Sequence, residues 1–229
     1  MIIIIVMMGS ATLLMSSCSE KDSVTPNDTS LSDKSLESVD YTMCNCMSDT
    51  LPYEELSEVE TEALTMMREE ELLARDVYVF LSELYSIPVF SNISRSEQQH
   101  TNAIAGLLVK YSLPDIAADH QPGVFVNQDL QELYNTLTDQ GEISLTEALK
   151  VGATIEDLDI KDLMGLREVI DNQDIGIVFA NLTKGSRNHL RSFSAVLSRR
   201  GVTYIPQFIS QELYDQIISS PHERGCVNN

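Results

Sequence analysis

Residues 57–86 set the first constraint on this chain. Apolar side chains recur there at spacings of three and four, at Leu64, Met67, Ala74, Tyr78, Leu81 and Tyr85, and Glu71 fills the gap between Met67 and Ala74. That period makes a helix with one buried face. Ser57 and Glu60 have the spacing of a capping box that would start it, and Ile87-Pro88 would stop it near Ser86. A carboxylate in the buried row must be given a partner, because an unpaired buried charge costs more than a marginally stable domain can tolerate. Neighbours on a helix point about 100° apart. In the run Glu69-Glu70-Glu71 the register directs Glu69 to solvent but does not separate Glu70 from Glu71 cleanly; the Ala-Arg-x-x-Tyr that follows favours Glu71 as the inward residue and leaves Glu70 at the margin.

The pattern recurs three times. A second helix is expected from Asn92 or Ser94 to about Ser112, with Ile93, Glu97, His100, Ile104, Leu107 and Tyr111 on one face. A turn-rich segment and a short helix, capped by Asn127 and stopped by Gly141, come next. Ser144 and Glu147 then open a third long helix that runs to about Ile170 and carries Leu145, Leu149, Gly152, Glu156, Asp159, Leu163 and Leu166. The fourth, from Asn172 to about Arg200, presents Ile175, Val178, Leu182, Gly185, His189, Phe193 and Val196 and ends at Gly201. The remainder reads as a strap with a short terminal helix. No hairpin signals interrupt this order, which predicts an all-α, ferritin-like four-helix bundle with one long crossover between its second and third long helices.

Polar residues occupy core register near the middle of every long helix: Glu71, Glu97 with His100, Glu156 with Asp159, and His189. Singly, each fits a solvated glutamate or a hydrogen-bonded core histidine. Together they form a set of four carboxylates and two imidazoles whose charge two divalent cations would balance. Glu97 and His100, three apart, present oxygen and nitrogen to the same side. Such a shell suits iron or manganese and leaves zinc open.

The segment Glu71-Leu72-Leu73-Ala74-Arg75-Asp76-Val77-Tyr78 resembles the first-helix Glu-x-x-Ala-Arg-x-x-Tyr of rubrerythrin-type ferritin-like proteins, and Glu97-Gln98-Gln99-His100 resembles their second-helix Glu-x-x-His. The stretch from about Leu56 to Ile218, with SNISRSEQQH, ALKVGATIEDLDIKDL and NLTKGSRNHLRSF, is similar to an uncharacterised ferritin-like family of bacteria and archaea. The resemblance implies a diiron centre with Glu71 and Glu156 as bridging or terminal carboxylates and His100 and His189 as terminal ligands. It adds Arg75 and Tyr78 as supporting residues, and O2 or peroxide as substrate. This sequence departs from that pattern where Ser186 stands in place of a fourth-helix glutamate. Either Asp159 substitutes from the third helix or one metal position is weak. No Cys-x-x-Cys pair of the rubredoxin kind is present, so electrons would come from an external donor.

The ends of the chain bear on location. MIIIIVMMGSATLLMSSC is too short an apolar run to span a bilayer and ends in small residues, as an export signal does. Met15-Ser16-Ser17-Cys18 resembles a lipobox, which implies cleavage before Cys18 and a lipid anchor on it, although no basic residue precedes the run. Residues 1–17 are read as the signal, 18–55 as a flexible acidic tether rich in Ser and Thr, 56–220 as the helical domain and 221–229 as a tail. Ser-Glu-Lys-Asp after the cysteine favours the outer membrane or cell surface of the envelope over the inner membrane. Outside the cytoplasm a bridge from Cys226 to Cys44 or Cys46 is open. Asp and Glu number 35 against 15 Lys and Arg, for a net charge of -20, which sets nucleic acid aside as a partner. Two function classes remain: a lipid-anchored diiron oxidoreductase, and a binding or structural lipoprotein whose metal site is degenerate or purely structural. The oligomeric state stays open, a dimer being compatible with it.

Overall fold

The computed structural model describes residues 51–227, and among them the chain is all-α: six helices and no strand. The expectations for Cys18, Cys44, Cys46, the signal and most of the tether lie outside the described residues. No helix among the described residues is long and apolar enough to cross a membrane.

Helix α1, Glu58–Tyr85, starts at a complete Ser57/Glu60 capping box and ends on Ser86 in the left-handed region. Helix α2, Pro88–Lys110, begins earlier than the sequence pattern suggested. Proline at its first position has the φ a helix needs and no N–H to lose, so it starts this helix as well as separating it from α1. Helix α3 spans Gln128–Glu142 on an Asn127 cap. Gly141 lies inside it and does not stop it; a Cβ there would meet Leu81 Cδ2 at 2.6 Å, so the glycine lets α3 approach α1 closely. Helix α4, Leu145–Leu166, closes before Ile170 in a short turn. Helix α5 covers Gln173–Arg199 and α6 covers Gln211–Ser219.

The four long helices pack α1 against α2, α4 against α5, α2 against α5 and α1 against α4, with α3 lying across α1 and α4. Their apolar faces bury two separate clusters. One gathers Tyr78, Phe90, Leu149 and Phe193; the other gathers Leu64, Met67, Ile104, Phe179 and Leu182. Along α1, α2 and α5 the change from one cluster to the other brackets the polar residues, as with Met67, Glu71 and Ala74 on α1 and Ile93, Glu97, His100 and Ile104 on α2. The polar set is thus a layer sealed at both ends by hydrocarbon.

Other buried carboxylates fasten the connections. Glu69 is buried and accepts the backbone N–H groups of Val126 at 2.6 Å and Asn127 at 3.1 Å, so it anchors the segment leading into α3 instead of facing solvent as the register suggested. Asp76 accepts from Gly123 N and lies 2.7 Å from His120 Nε2. Asp157 holds the strap through Tyr204 Oη and the backbone N–H groups of Gln207, Phe208 and Ile209. Glu60 ties the start of α1 to the start of α5 through Asn172 N. Beyond α6 the tail lies along α5, held by Arg187 and Arg191 to Glu223. Cys226 is disulfide-bonded.

Candidate metal centre

Between the two apolar clusters, Glu71 from α1, Glu97 and His100 from α2, Glu156 from α4 and His189 from α5 converge, all buried. His100 Nδ1 lies 3.1 Å from Glu71 Oε2 and 2.7 Å from Glu97 Oε2. His189 Nδ1 lies 2.8 Å from Glu97 Oε1 and 3.3 Å from Glu156 Oε2. The two imidazoles stack with centroids 5.5 Å apart. Donor atoms therefore fall into two groups that could each hold a metal ion, Glu71–Glu97–His100 and Glu97–Glu156–His189. Glu97 belongs to both, one oxygen to each, as the geometry of a shared carboxylate requires.

Hydrogen bonding separates this layer from the buried acids that fasten the connections. Glu60, Glu69, Asp76, Asp157 and Asp174 are met by backbone or side-chain donors. In the layer, Glu71 Oε1, both oxygens of Glu97, Glu156 Oε2 and His189 Nδ1 are sealed from water without a hydrogen bond. His100 Nδ1 is aligned for a hydrogen bond with Glu71 Oε2, and the remaining approaches are ion-pair contacts of 2.7, 2.8 and 3.3 Å. Carboxylate oxygens and imidazole nitrogens that converge this closely suit ligands to a common cation, and a buried polar atom left without a hydrogen bond costs about 1–3 kcal/mol. The donor set of carboxylate oxygen and imidazole nitrogen fits a divalent transition metal.

The protonation states agree. Burial works against the charge on Glu97, but His189 and His100 outweigh it and hold this carboxyl well below the usual range. Burial likewise opposes charge on the imidazoles, yet Glu97 and Glu71 raise His100, and Glu97 and Glu156 raise His189, far above the ordinary histidine value. Burial pushes Glu71 up to about 7, and it also raises Glu156. The layer thus stores protons on its imidazoles that a cation would displace.

Neighbouring groups fix the donors. The Tyr78 hydroxyl donates to Glu156 Oε1 at 2.5 Å, which leaves Oε2 facing His189. His189 Nε2 is 2.9 Å from Ser96 Oγ, a contact that orients the ring with Nδ1 toward the carboxylates. Gly185 makes room for His100, since a Cβ there would stand 2.5 Å from Nε2. Gly152 does the same for the Phe193 ring, also at 2.5 Å. No periodic signal marks Ser96 in the sequence, whereas Gly185 stands out as a glycine in core register one turn before His189.

The other expected residues stand apart. Asp159 is buried beside the layer but belongs to neither donor group. Burial, and then the charge of Glu71, drive its carboxyl well above the usual range. Ser186 is buried and donates to Leu182 O, its own helix, so it contributes no donor to either group. Arg75 does not reach the layer: its guanidinium bonds Asp76 and Gln98.

Fold and site together define a class, an all-α protein with buried Glu/His groups that could hold a metal ion. The chain belongs to the family described as uncharacterized protein domain (DUF2202), which matches residues 60–221. It is 51% identical over 176 residues to the uncharacterized protein MJ0754 of Methanocaldococcus jannaschii, a match covering 77% of this chain and 95% of that protein. The crystal structure of hypothetical protein MJ0754 from Methanococcus jannaschii DSM 2661 is similar with a TM-score of 0.75 at 50% identity, over 76% of this chain and 99% of that one.

Proposed function

We propose that this chain is a ferritin-like protein that binds a dinuclear centre of divalent metal, iron before manganese or zinc. In this reading it oxidises Fe(II) or reduces O2 or peroxide at the cell envelope, held to the membrane by lipid on Cys18. The observation that supports it is the pair of donor groups sharing Glu97, with carboxylate oxygens and an imidazole nitrogen sealed from water and without hydrogen bonds.

Bound iron supplies one-electron redox steps and Lewis acidity. The residues do the rest. Glu97 sets the separation of the two positions by giving one oxygen to each group. Tyr78 donates its hydroxyl to Glu156 Oε1, and burial together with the Glu156 charge holds the phenol's pKa far above its ordinary value, so the proton stays on the phenol oxygen. Ser96 holds His189 in register. The hydrocarbon clusters on either side exclude bulk water. Reducing peroxide to two waters takes two electrons and two protons; an external donor supplies the electrons.

Anaerobic loading with Fe(II) followed by oxygen-uptake measurement tests the reading. Uptake tied to bound Fe(II) is expected in the wild type and is expected to vanish when Glu97→Ala is combined with His100→Ala. Equal uptake by both proteins would refute catalysis at this layer. Ser186, which donates to its own helix where a fourth carboxylate would stand, favours a second reading in which the metal only stabilises the bundle. Metal-dependent thermal stabilisation without oxygen uptake selects that reading.

A further inference from the structure

A second polar constellation lies on α5, away from the metal centre, and it holds the end of the chain. Asn181, Lys184, Asn188 and Arg191 follow at spacings of three and four, so they form one stripe along the helix, and all four are buried. Asn188 meets the backbone of Glu223 twice, donating from Nδ2 to its O at 3.0 Å and accepting its N–H on Oδ1 at 2.9 Å. Asn181 does the same for Val227, also at 3.0 and 2.9 Å. Between them Lys184 donates to the carbonyl of Gly225, whose φ of 71° lies in the left-handed region. Arg187 and Arg191 close on the Glu223 carboxylate. The residues on both sides of Cys226 are thus fixed to α5, and Cys226 sits half-buried between them beside the exposed Arg224 and Gly225.

Cys226 is disulfide-bonded and is the one cysteine among the described residues, so its partner belongs to the segment before residue 51, which contains Cys18, Cys44 and Cys46. That segment joins the described fold near the same end of α5. Leu51 O accepts from Lys110 Nζ, and Lys110 pairs with Asp174 in the first turn of α5. Asn181 lies two turns further along, a rise of about 10 Å. Cys46 and Cys44 precede Leu51 by five and seven residues. Chains of those lengths span up to about 17 and 24 Å, so both cysteines have the reach, whereas Cys18 is the residue read as the lipid anchor. One bridge and a Cys-x-Cys pair leave a thiol two residues from the bonded sulfur, the arrangement in which a resolving cysteine opens or moves a disulfide. The family match ends at residue 221, so Cys226 and its clasp lie beyond the matched domain.

We propose that Cys226, clasped on α5, is a thiol–disulfide exchange site that takes Cys44 and Cys46 in turn as partners, and that its bridge is a reversible fastening of the N-terminal segment to the helical domain. This site stands apart from the metal-binding reading. When the bridge runs to Cys46, the Cys44 thiolate attacks Cys226 Sγ; the Cys44–Cys226 bond forms, the Cys46–Cys226 bond breaks, and Cys46 leaves as the thiolate with no net oxidation. A dithiol reductant opens the bridge altogether. One of its thiolates forms a mixed disulfide and its second thiol resolves it, so the dithiol becomes a disulfide while two electrons and two protons pass to the two cysteines. Opening frees the segment before residue 51 and leaves the tail in place, because the bonds from Asn181, Lys184 and Asn188 go to backbone atoms and not to sulfur.

The test starts from the full chain isolated without reductant, alkylated and cut with trypsin. The fragment after Arg224, GCVNN, is expected in disulfide linkage to the fragment 35–68, which carries Cys44 and Cys46. Cys44→Ser and Cys46→Ser are each expected to keep a bridge to Cys226, and the double variant to lose it. Dithiothreitol is expected to open the bridge and to speed cleavage by a Glu-specific protease at Glu54 and Glu55 by about tenfold or more, with hydrogen exchange over residues 223–227 unchanged. Glu223→Ala, in the tail and outside the helices, is expected to loosen the clasp and to lower by about threefold or more the dithiothreitol concentration that opens half of the bridges. Any one of four results overturns the exchange site: no linkage in the wild type, loss of the bridge in either single variant, a folded chain whose bridge dithiothreitol leaves closed, or equal cleavage before and after reduction. A Glu223→Ala chain that opens at the wild-type concentration overturns the part given to the clasp.

Discussion

Replacing Gly185 by alanine should loosen the metal centre while leaving the fold almost intact. The added Cβ would stand 2.5 Å from His100 Nε2 and 2.6 Å from Cε1, whereas an ordinary contact needs about 1 Å more. The neighbour that must yield is an imidazole whose Nδ1 is held 2.7 Å from Glu97 and 3.1 Å from Glu71. A shift of that size exceeds the tolerance of about 0.5 Å within which a binding constellation keeps its geometry. Metal affinity is therefore expected to fall about 10- to 100-fold, or roughly 1.4–2.8 kcal/mol. Stability changes less. Overpacking costs about 1–3 kcal/mol, and exchanging glycine for alanine inside a helix returns about 1 kcal/mol. Gly176, on the same helix with nothing within 4 Å of its Cβ position, is the control: Gly176→Ala should gain up to about 1 kcal/mol and bind metal as the wild type does. Competition against a chromophoric chelator gives the affinities and urea unfolding gives the stabilities. A Gly185→Ala protein that binds metal as tightly as the wild type would refute the reasoning.

Three further outcomes follow from named contacts. Tyr78→Phe removes the hydroxyl that donates to Glu156 Oε1 at 2.5 Å and leaves a buried acceptor short, so it should cost about 1–3 kcal/mol in urea unfolding; a loss under about 0.5 kcal/mol contradicts this. Burial opposes the charge of Glu60, but the backbone N–H groups of Ser57 and Asn172 and the Ser57 hydroxyl outweigh it and hold the carboxyl below its ordinary 4.5. With the folded value below the unfolded one, this stabilisation is complete above about pH 4.5 and lost as pH falls through the folded value. Glu60→Gln should then cost about 1–2 kcal/mol at pH 7 and progressively less on acidification, and an equal cost at pH 7 and pH 3 would count against it. Asp157→Asn halves the acceptors that hold Tyr204, Gln207, Phe208 and Ile209, so hydrogen exchange over residues 204–209 should accelerate by about tenfold or more while α1 is unchanged; unaltered protection of the strap argues otherwise.

The helices and the polar layer were legible because period and charge conflict openly in this sequence. Glu71, Glu97, His100, Glu156 and His189 each interrupt an apolar row, and the structure brings those residues together. What a helical register resolves is direction to within about 60–100°. That is too coarse to tell Glu156, inside a donor group, from Asp159, beside it. Glu69 was misjudged for another reason: one helix in isolation has a solvent face there, but the segment before α3 docks on that face and presents backbone N–H groups to it. The helical pattern alone starts α2 near Asn92, whereas the helix begins at Pro88, because a proline at a first helical position initiates as well as breaks. Ser96 was invisible for want of any pattern, since its part is set by where α5 brings His189.

The central claim is that Glu97 is shared between two metal positions. Metal content per chain, measured for the wild type, Glu71→Gln and Glu97→Gln after loading with Fe(II) without oxygen, tests it most directly. About two ions are predicted for the wild type, about one for Glu71→Gln and none for Glu97→Gln, because Glu97 alone belongs to both donor groups. Fewer than about one ion in the wild type, or a Glu97→Gln chain that holds as many as its parent, would contradict it.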